Sequence, residues 1–179
     1  MREVDVAIIG AGSAGLTARR EVAKKTDNYV VIDDGPLGTT CARVGCMPSK
    51  TLIQAANDFH RRHCFAEQGI HGGEQLTLDT AALMRHVRKL RDRFVRGVHA
   101  GMAQWQEAKL IRKQARFLDH NTLDLGDEQI RAKAIIIAVG TRPLIPRDLH
   151  PYRDFLINTD GLFELEELPS SLAVLGVGV

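Results

Sequence analysis

The chain has 179 residues, of which 44% are hydrophobic and 26% charged, a balance typical of a globular protein. This length allows one sizeable core and the start of a second domain. A formal net charge of +2 indicates neither nucleic acid nor an anionic membrane as a partner. The longest apolar run, residues 134–139, is far too short to span a membrane. A strand pattern begins almost at once, so we expect no signal peptide and a cytoplasmic location.

The first elements form a strand, a glycine turn, a helix and a second strand. Val4–Ile9 is a nearly continuous apolar run, as expected of a strand buried on both faces. The turn GAGSAG at 10–15 leads into a predicted helix over Leu16–Lys25 and a second buried strand, Tyr29–Ile32, which Asp33 ends. The glycines allow a tight turn, close approach of a pyrophosphate and close helix packing, and the acid can accept hydrogen bonds from a ribose. This unit predicts a dinucleotide site.

Two cysteines follow, in the stretch TCARVGCMPSK at 40–50. In a regular helix, residues five apart lie roughly 8.7 Å apart, whereas the Cα atoms of a disulfide lie about 4.4–6.8 Å apart. If Cys41 and Cys46 bond, the segment between them is therefore not a regular helix, and Gly45 is the cheapest place for the distortion. We expect a distorted turn over 41–47 and a helix from about Pro48 to Arg61.

That arrangement places Cys46 near the positive end of a helix dipole, which favours its thiolate. We therefore expect Cys46 to face a flavin and Cys41 to be the outer thiol that exchanges with substrate. Two reduced cysteines that merely pack would leave the neighbouring Gly, Pro and Lys unexplained, and no second Cys/His pair is spaced for zinc, so we expect no metal site. The unpaired Cys64 fits a reducing compartment with one dedicated redox pair.

A long helix is predicted after Asp79, its expected N-cap. One apolar stripe recurs at steps of three and four, comprising Leu83, Val87, Leu90, Phe94, Val98 and Met102. The opposite face is basic, with Arg85, Arg88, Lys89, Arg91, Arg93 and Arg96. We interpret that face as solvated, and an interaction surface is the alternative.

Short strands are predicted next, at about 115–118, 122–125 and 130–138, the last ending at Gly140. Residues 144–168 are rich in Pro, Asp and Glu and are interpreted as a connector. From Leu172 the chain repeats the opening pattern, an apolar strand followed by Gly176-Val-Gly178.

The sequence resembles the flavin-dependent (class I pyridine nucleotide) disulfide oxidoreductases. The resemblance rests on five features in this order: GAGSAG, the acid that ends the second strand, TCARVGCMPSK, AIIIAVGTRP and the final LGVG. That family includes dihydrolipoamide dehydrogenase, glutathione reductase and mercuric reductase, and the Pro-Ser-Lys ending is most similar to the first and the last. The resemblance implies an α/β fold. Residues 1–145 would be a Rossmann-like FAD-binding domain, a parallel sheet with a three-stranded β-meander. Residues 146–179 would be a connector and the first strand of a second, incomplete NAD(P)-binding domain.

The resemblance also implies a role for each site residue. Cys46 would be the charge-transfer thiol and Cys41 the interchange thiol, with Lys50 near the flavin N5 and Thr40 against the flavin region. Asp33 would bind the adenosine ribose. The remaining cofactor contacts would come from Gly10, Gly12, Ser13, Ala14, Gly15, Ala115, Ala138 and Gly140. The sequence departs from the family pattern at Thr39, usually Gly, at Arg43, usually Asn, and at Val139, usually Thr.

The reaction implied for the full-length parent is oxidation of dihydrolipoamide by NAD⁺ through FAD and the Cys41–Cys46 disulfide. Its partners would be a small dithiol or disulfide, including the lipoyl domains of a 2-oxoacid dehydrogenase complex, and a second subunit in a homodimer. Family members are much longer, so we expect this chain to be an inactive fragment that binds FAD weakly. The alternatives are a mercuric or other disulfide reductase that uses NADPH, and a non-catalytic chain that binds nucleotide or partner proteins.

Overall fold

The computed structural model describes residues 1–176, and in it six strands form one mixed sheet. The order across the sheet is β3-β2-β1-β6-β5-β4. The first four strands in this order run parallel, and β4, β5 and β6 form an antiparallel meander. The strands are β1 (Arg2–Ile9), β2 (Tyr29–Ile32), β3 (Leu110–Ile111), β4 (Arg116–Phe117), β5 (Thr122–Asp124) and β6 (Gln129–Ile137). The predicted α/β fold, a parallel sheet with a three-stranded meander, is confirmed.

Helices fill the connections between the strands. The first, α1, links β1 to β2, and the next four lie in the long crossover from β2 to β3. The helices are α1 (Ser13–Val22), α2 (Thr40–Arg43), α3 (Cys46–His60), α4 (Thr80–Met102), α5 (Gln106–Lys109) and α6 (Thr159–Leu162). No helix among residues 1–176 has the length and apolar character needed to cross a membrane.

The sheet is packed on both faces, as the alternation along β2 shows. Val30 and Ile32 belong to one buried cluster, with Leu123 and Ile130 of the meander. Tyr29 and Val31 belong to another, which is completed by Met102, the last residue of α4, and by Trp105, which follows the helix. Arg19 of α1 joins this second cluster, since its guanidinium lies 4.7 Å from the Trp105 ring and its Nε donates to the Tyr29 hydroxyl at 2.8 Å.

The predicted N-cap of α4 is confirmed, because the Asp79 carboxylate accepts from the Ala82 N–H at 2.8 Å. The basic face of this helix is not uniformly solvated, as two of its arginines hold the chain that follows β6. Arg88 donates to the Leu165 carbonyl and Arg91 pairs with Glu164. The interpretation of a solvated face is therefore wrong for Arg88 and Arg91.

The predicted connector contains folded structure. Residues 147–155 form 3-10 turns, α6 follows, and Phe163 is almost fully buried against Val44, Leu83 and Val87. Beyond it, residues 171–176 form neither helix nor strand. The predicted strand from Leu172 is thus not formed in the described part of the chain, where no neighbouring strand pairs with it, and Gly178 lies outside the described residues.

Candidate functional site

The turn between β1 and α1 depends on three glycines with different roles. Gly10 has φ +108°, and a Cβ there would lie 2.2 Å from the Ala138 carbonyl oxygen. A Cβ on Gly15 would lie 1.8 Å from the Gly10 carbonyl oxygen. These two glycines therefore let the turn, α1 and the end of β6 pack closely. At Gly12 a Cβ would meet nothing within 4 Å, so the open space of the turn is on this side.

Asp33 ties the end of β2 to this turn. Its Oδ2 accepts from the Ala11 N–H and its Oδ1 accepts from the Gly35 N–H at 2.7 Å. Arg112 Nη1 lies 3.8 Å from the same carboxylate. Each carboxylate oxygen has a second lone pair, so Asp33 can still accept hydrogen bonds from a ribose while it holds the turn.

A cleft of about 700 Å³ opens where β1, β2 and β6 end, within the usual size of small-molecule sites. In parallel α/β sheets this end of the strands is where ligands bind. Five of the predicted cofactor residues line it: Gly12, Asp33, Thr40, Ala138 and Gly140. A dinucleotide such as FAD fits three features of this cleft: the open space at Gly12, the adjoining N-terminus of α1 and the carboxylate of Asp33.

The other predicted cofactor residues lie around the cleft or away from it. Gly10 and Gly15 are buried beneath the turn, while Ser13 and Ala14 are exposed in the first turn of α1. Lys50 lines a separate groove between α3 and α4. Ala115, between β3 and β4, packs half-buried against the sheet core rather than lining the cleft.

Sequence reasoning missed part of the cleft wall, which comes from the predicted connector. Thr159 and Asp160 of α6 and the nearby Glu164 all line the cleft. A local signal was present, because Asn158 is an N-cap residue whose Oδ1 accepts from the Asp160 N–H at 2.9 Å. That cap predicts only where α6 begins. The burial of Phe163 is what brings α6 to the cleft.

The segment between the two candidate redox cysteines is a short helix followed by a break. Cys41 lies in α2, and Val44 and Gly45 separate it from α3, so the predicted interruption is confirmed. Helix α3 begins at Cys46, two residues earlier than expected, with Pro48 in its first turn, where a missing N–H is tolerated. A Cβ on Gly45 would lie 3.1 Å from the Thr40 carbonyl oxygen, so this glycine permits α2 and α3 to meet closely.

Cys41 and Cys46 are both free thiols, and the side chain of Cys46 is close enough to change the pKa of Cys41. A hydrogen bond to the Cys46 side chain, together with burial and the charge on Cys46, raises the pKa of Cys41, against a smaller opposing effect of Lys50. Cys46 is the first residue of α3, where the helix dipole favours a thiolate. The folded chain therefore holds the Cys41 proton more tightly than an ordinary cysteine does.

The two thiols differ in exposure, since Cys46 is exposed and Cys41 is half-buried. The assignment of Cys41 as the outer thiol that exchanges with substrate stays a prediction.

Comparison with known proteins places these features in a family. Residues 4–179 match the family model for pyridine nucleotide-disulphide oxidoreductases. Dihydrolipoyl dehydrogenase from Bacillus subtilis (strain 168) is 30% identical over 98% of this chain, which covers 38% of that protein. The enzyme of the same name from Mycoplasma pneumoniae is 31% identical, again over 98% of this chain and 39% of the relative. The chain therefore spans about two fifths of the length of these curated relatives.

Solved structures support the fold. The Cu(II) complex of the HOCl-induced flavoprotein disulfide reductase RclA from Escherichia coli aligns with a TM-score of 0.69 and 23% identity, over 92% of this chain and 34% of that one. A cysteine-to-serine variant of the same reductase aligns with a TM-score of 0.71 and 22% identity, over 94% and 36%. Since the family model matches nearly the whole chain, this protein belongs to the pyridine nucleotide-disulphide oxidoreductase family.

Proposed function

We propose that this chain is the thiol-bearing, FAD-binding part of a dithiol–disulfide oxidoreductase in which Cys41 and Cys46 are the redox couple. The observation that carries the proposal is the position of the two free thiols, with Cys46 at the N-terminus of α3 and Cys41 in α2, where the side chain of Cys46 raises the pKa of Cys41. Thr40 and Arg43, the first and last residues of α2, line the cleft that fits a dinucleotide.

The chemistry begins with the pair as a disulfide. One thiolate of a substrate dithiol attacks the Cys41 sulfur, a mixed disulfide forms on Cys41, and Cys46 leaves as a thiolate stabilised by α3. The second substrate thiol loses its proton to solvent and attacks the substrate sulfur of the mixed disulfide. The substrate departs as a cyclic disulfide, and Cys41 takes up a proton, which leaves both cysteines as the free thiols of the structure.

FAD, when bound, would supply the acceptor for the two electrons now held by the pair and would pass them as hydride to a pyridine nucleotide. The residues proposed to hold it are those of the glycine turn together with Asp33, Thr40, Ala138 and Gly140, with Ser13 and Ala14 in the first turn of α1. Lys50 lies one helical turn after Cys46 and contributes positive charge near the thiols.

The proposed substrate is dihydrolipoamide, with NAD⁺ as final acceptor and the lipoyl domain of a 2-oxoacid dehydrogenase as its carrier. Its support is the similarity to dihydrolipoyl dehydrogenases over 98% of the chain and the Pro48-Ser-Lys50 ending of the cysteine segment. The homodimer is part of the same proposal, as a property of the longer protein.

The thiol half-reaction tests the proposal without depending on bound flavin. The reduced chain is mixed with lipoamide under anaerobic conditions, and dihydrolipoamide and the protein disulfide are quantified by mass spectrometry. We expect about one dihydrolipoamide per chain and a Cys41–Cys46 disulfide, by the balance of two-electron exchange. Cys41→Ser and Cys46→Ser should each abolish the product, whereas the control Cys64→Ser should react fully.

A second arm examines the flavin and the substrate. With FAD added, a long-wavelength absorption band is expected in the Cys41→Ser variant and should be absent in Cys46→Ser. Glutathione disulfide should react much more slowly than lipoamide. A disulfide involving Cys64, or equal reaction with every disulfide, would contradict the proposal.

A further inference from the structure

Two arginines, Arg43 and Arg142, line the nucleotide cleft, and Arg43 is the one whose buried Nε has no hydrogen-bond partner. We propose that the Arg43 guanidinium is a ligand for the diphosphate of the dinucleotide that binds there. This inference rests on the proposed function, because it takes the cleft to be a dinucleotide site.

The path of the Arg43 side chain is set by Gly38. A Cβ on Gly38 would lie 3.3 Å from Arg43 Cγ and 3.4 Å from Cδ, so the arginine stem lies against the backbone of this buried glycine. Gly38 also has φ +110°, a conformation that favours glycine. The stem is thereby directed along the loop that precedes α2, and Arg43 lines the cleft together with Thr39 and Thr40.

The guanidinium of Arg43 lacks a hydrogen bond at one of its nitrogens. Arg43 Nε is buried and has no hydrogen-bond partner, and among residues 1–176 it is the only buried side-chain nitrogen or oxygen in that state. A buried N–H of a charged group is unfavourable until an acceptor is supplied, because burial removes its water. An anionic ligand in the cleft would supply an acceptor for this guanidinium.

The charges around the cleft favour the same ligand. Of its carboxylates, Asp33 accepts from two backbone N–H groups and Glu164 pairs with Arg91, while Asp34 and Asp160 are exposed. A diphosphate entering beside these carboxylates needs a compensating cation. The fork of an arginine matches phosphate oxygens in pairs, which a lysine cannot do.

The test compares ligands with and without phosphate on the 179-residue chain by titration calorimetry. Arg43→Met keeps the stem that packs on Gly38 and removes the guanidinium. We expect its affinity for FAD and for ADP to fall by about tenfold or more, as for loss of a hydrogen bond to a charged group, while its affinity for riboflavin stays unchanged. Arg43→Lys should recover only part of the loss. Arg85→Met, an exposed arginine of α4 outside the cleft, is the matched control.

The outcomes separate this inference from the proposed function. If wild type binds FAD and Arg43→Met binds FAD and ADP equally well, the inference is wrong and the cofactor assignment stands. Equal loss of riboflavin affinity, or a lower unfolding temperature of Arg43→Met without ligand, would assign Arg43 a packing role and overturn the inference. If wild type binds none of the three ligands, the assignment of the cleft to a dinucleotide fails, and the inference fails with it.

Discussion

At the scale of single residues, Thr39 carries backbone strain next to the two thiols. Its φ of +64° and ψ of 147° lie where residues other than glycine are rarely found. Part of the cost is offset locally, since its hydroxyl accepts from the Ala42 N–H at 3.1 Å and caps α2. The sequence marked this position as a departure from the family glycine, and the structure keeps the glycine-like backbone.

We expect Thr39→Gly to raise the free energy of unfolding by about 1 kcal/mol. Glycine relieves roughly 1–3 kcal/mol of backbone strain in the folded chain. Two effects oppose this gain: loss of the hydroxyl cap costs a few tenths of a kcal/mol, and glycine gives the unfolded chain more conformational freedom. The relief of strain is the larger effect. Thr39→Ala retains the strain and loses the cap, so it should destabilise by about 1 kcal/mol. Urea denaturation of the reduced proteins measures both, and a destabilised glycine variant would show that the backbone is not strained.

The proton on Cys41 gives a second prediction at this scale. Because the side chain of Cys46 is the main cause of the raised pKa, Cys46→Ala, which removes its hydrogen-bonding group, should lower the pKa of Cys41 toward its ordinary value. The pH midpoint for alkylation of Cys41, followed by mass spectrometry, should therefore move to lower pH. Cys64→Ala should leave the midpoint unchanged, and an unmoved midpoint in Cys46→Ala would argue against contact between the thiols.

The sign of the linked stability follows from the same shift. A raised pKa means that the folded chain holds the Cys41 proton more tightly than the unfolded chain does. The stability that the folded chain gains from holding this proton is complete below the ordinary thiol pKa. It is lost as pH rises through the raised pKa of Cys41. The alkaline limb of the stability profile should therefore be less steep in Cys41→Ser.

At the scale of elements, the approach of α2 to α3 decides whether two thiols five residues apart can react. Gly45 eases that approach, since a Cβ there would lie 3.1 Å from the Thr40 carbonyl oxygen, closer than side chains usually pack. The spacing of the cysteines predicted that the helix must be interrupted. It did not predict that α2 would be helical up to Arg43, because a four-residue helix has no readable period.

Gly45→Ala should therefore weaken the disulfide. We expect the chain to lose about 1 kcal/mol of disulfide stability, roughly fivefold in the equilibrium constant measured in glutathione buffers. Gly97→Ala is the matched control, because Gly97 is an exposed residue inside α4 with nothing within 4 Å of the added methyl. It should stabilise the fold by up to about 1 kcal/mol and leave the disulfide equilibrium unchanged. Equal disulfide stability in both variants would refute the role of Gly45.

At the scale of the whole molecule, the segment after β6 completes the cleft by packing on distant helices. Phe163 is buried at 1% exposure against Val44 of the α2–α3 break and Leu83 and Val87 of α4. Arg88 and Arg91 of α4 bind the same segment at Leu165 and Glu164. Thus Thr159, Asp160 and Glu164 reach the cleft because a single aromatic side chain anchors their segment.

Phe163→Ala should destabilise the chain by about 3–5 kcal/mol, the usual cost of removing a buried aromatic ring. Phe155→Ala, with an 89% exposed ring in the same segment, should change the free energy of unfolding by no more than about 0.5 kcal/mol. Urea denaturation measures both variants. If they behaved alike, the segment would not be packed on α4, and the cleft wall from α6 would be lost.

The amino-acid sequence by itself determined the features that depend on near neighbours along the chain. Four such features follow from local backbone chemistry, and all are present in the structure. They are the glycine turn, the acid that ends β2, the cap of α4 and the broken helix between the cysteines. Tertiary structure alone decided the two-residue strand β3, the burial of Phe163 and the direction of Arg43 into the cleft. These depend on contacts between segments far apart in sequence, where the energy lies in packing and desolvation that no local pattern encodes.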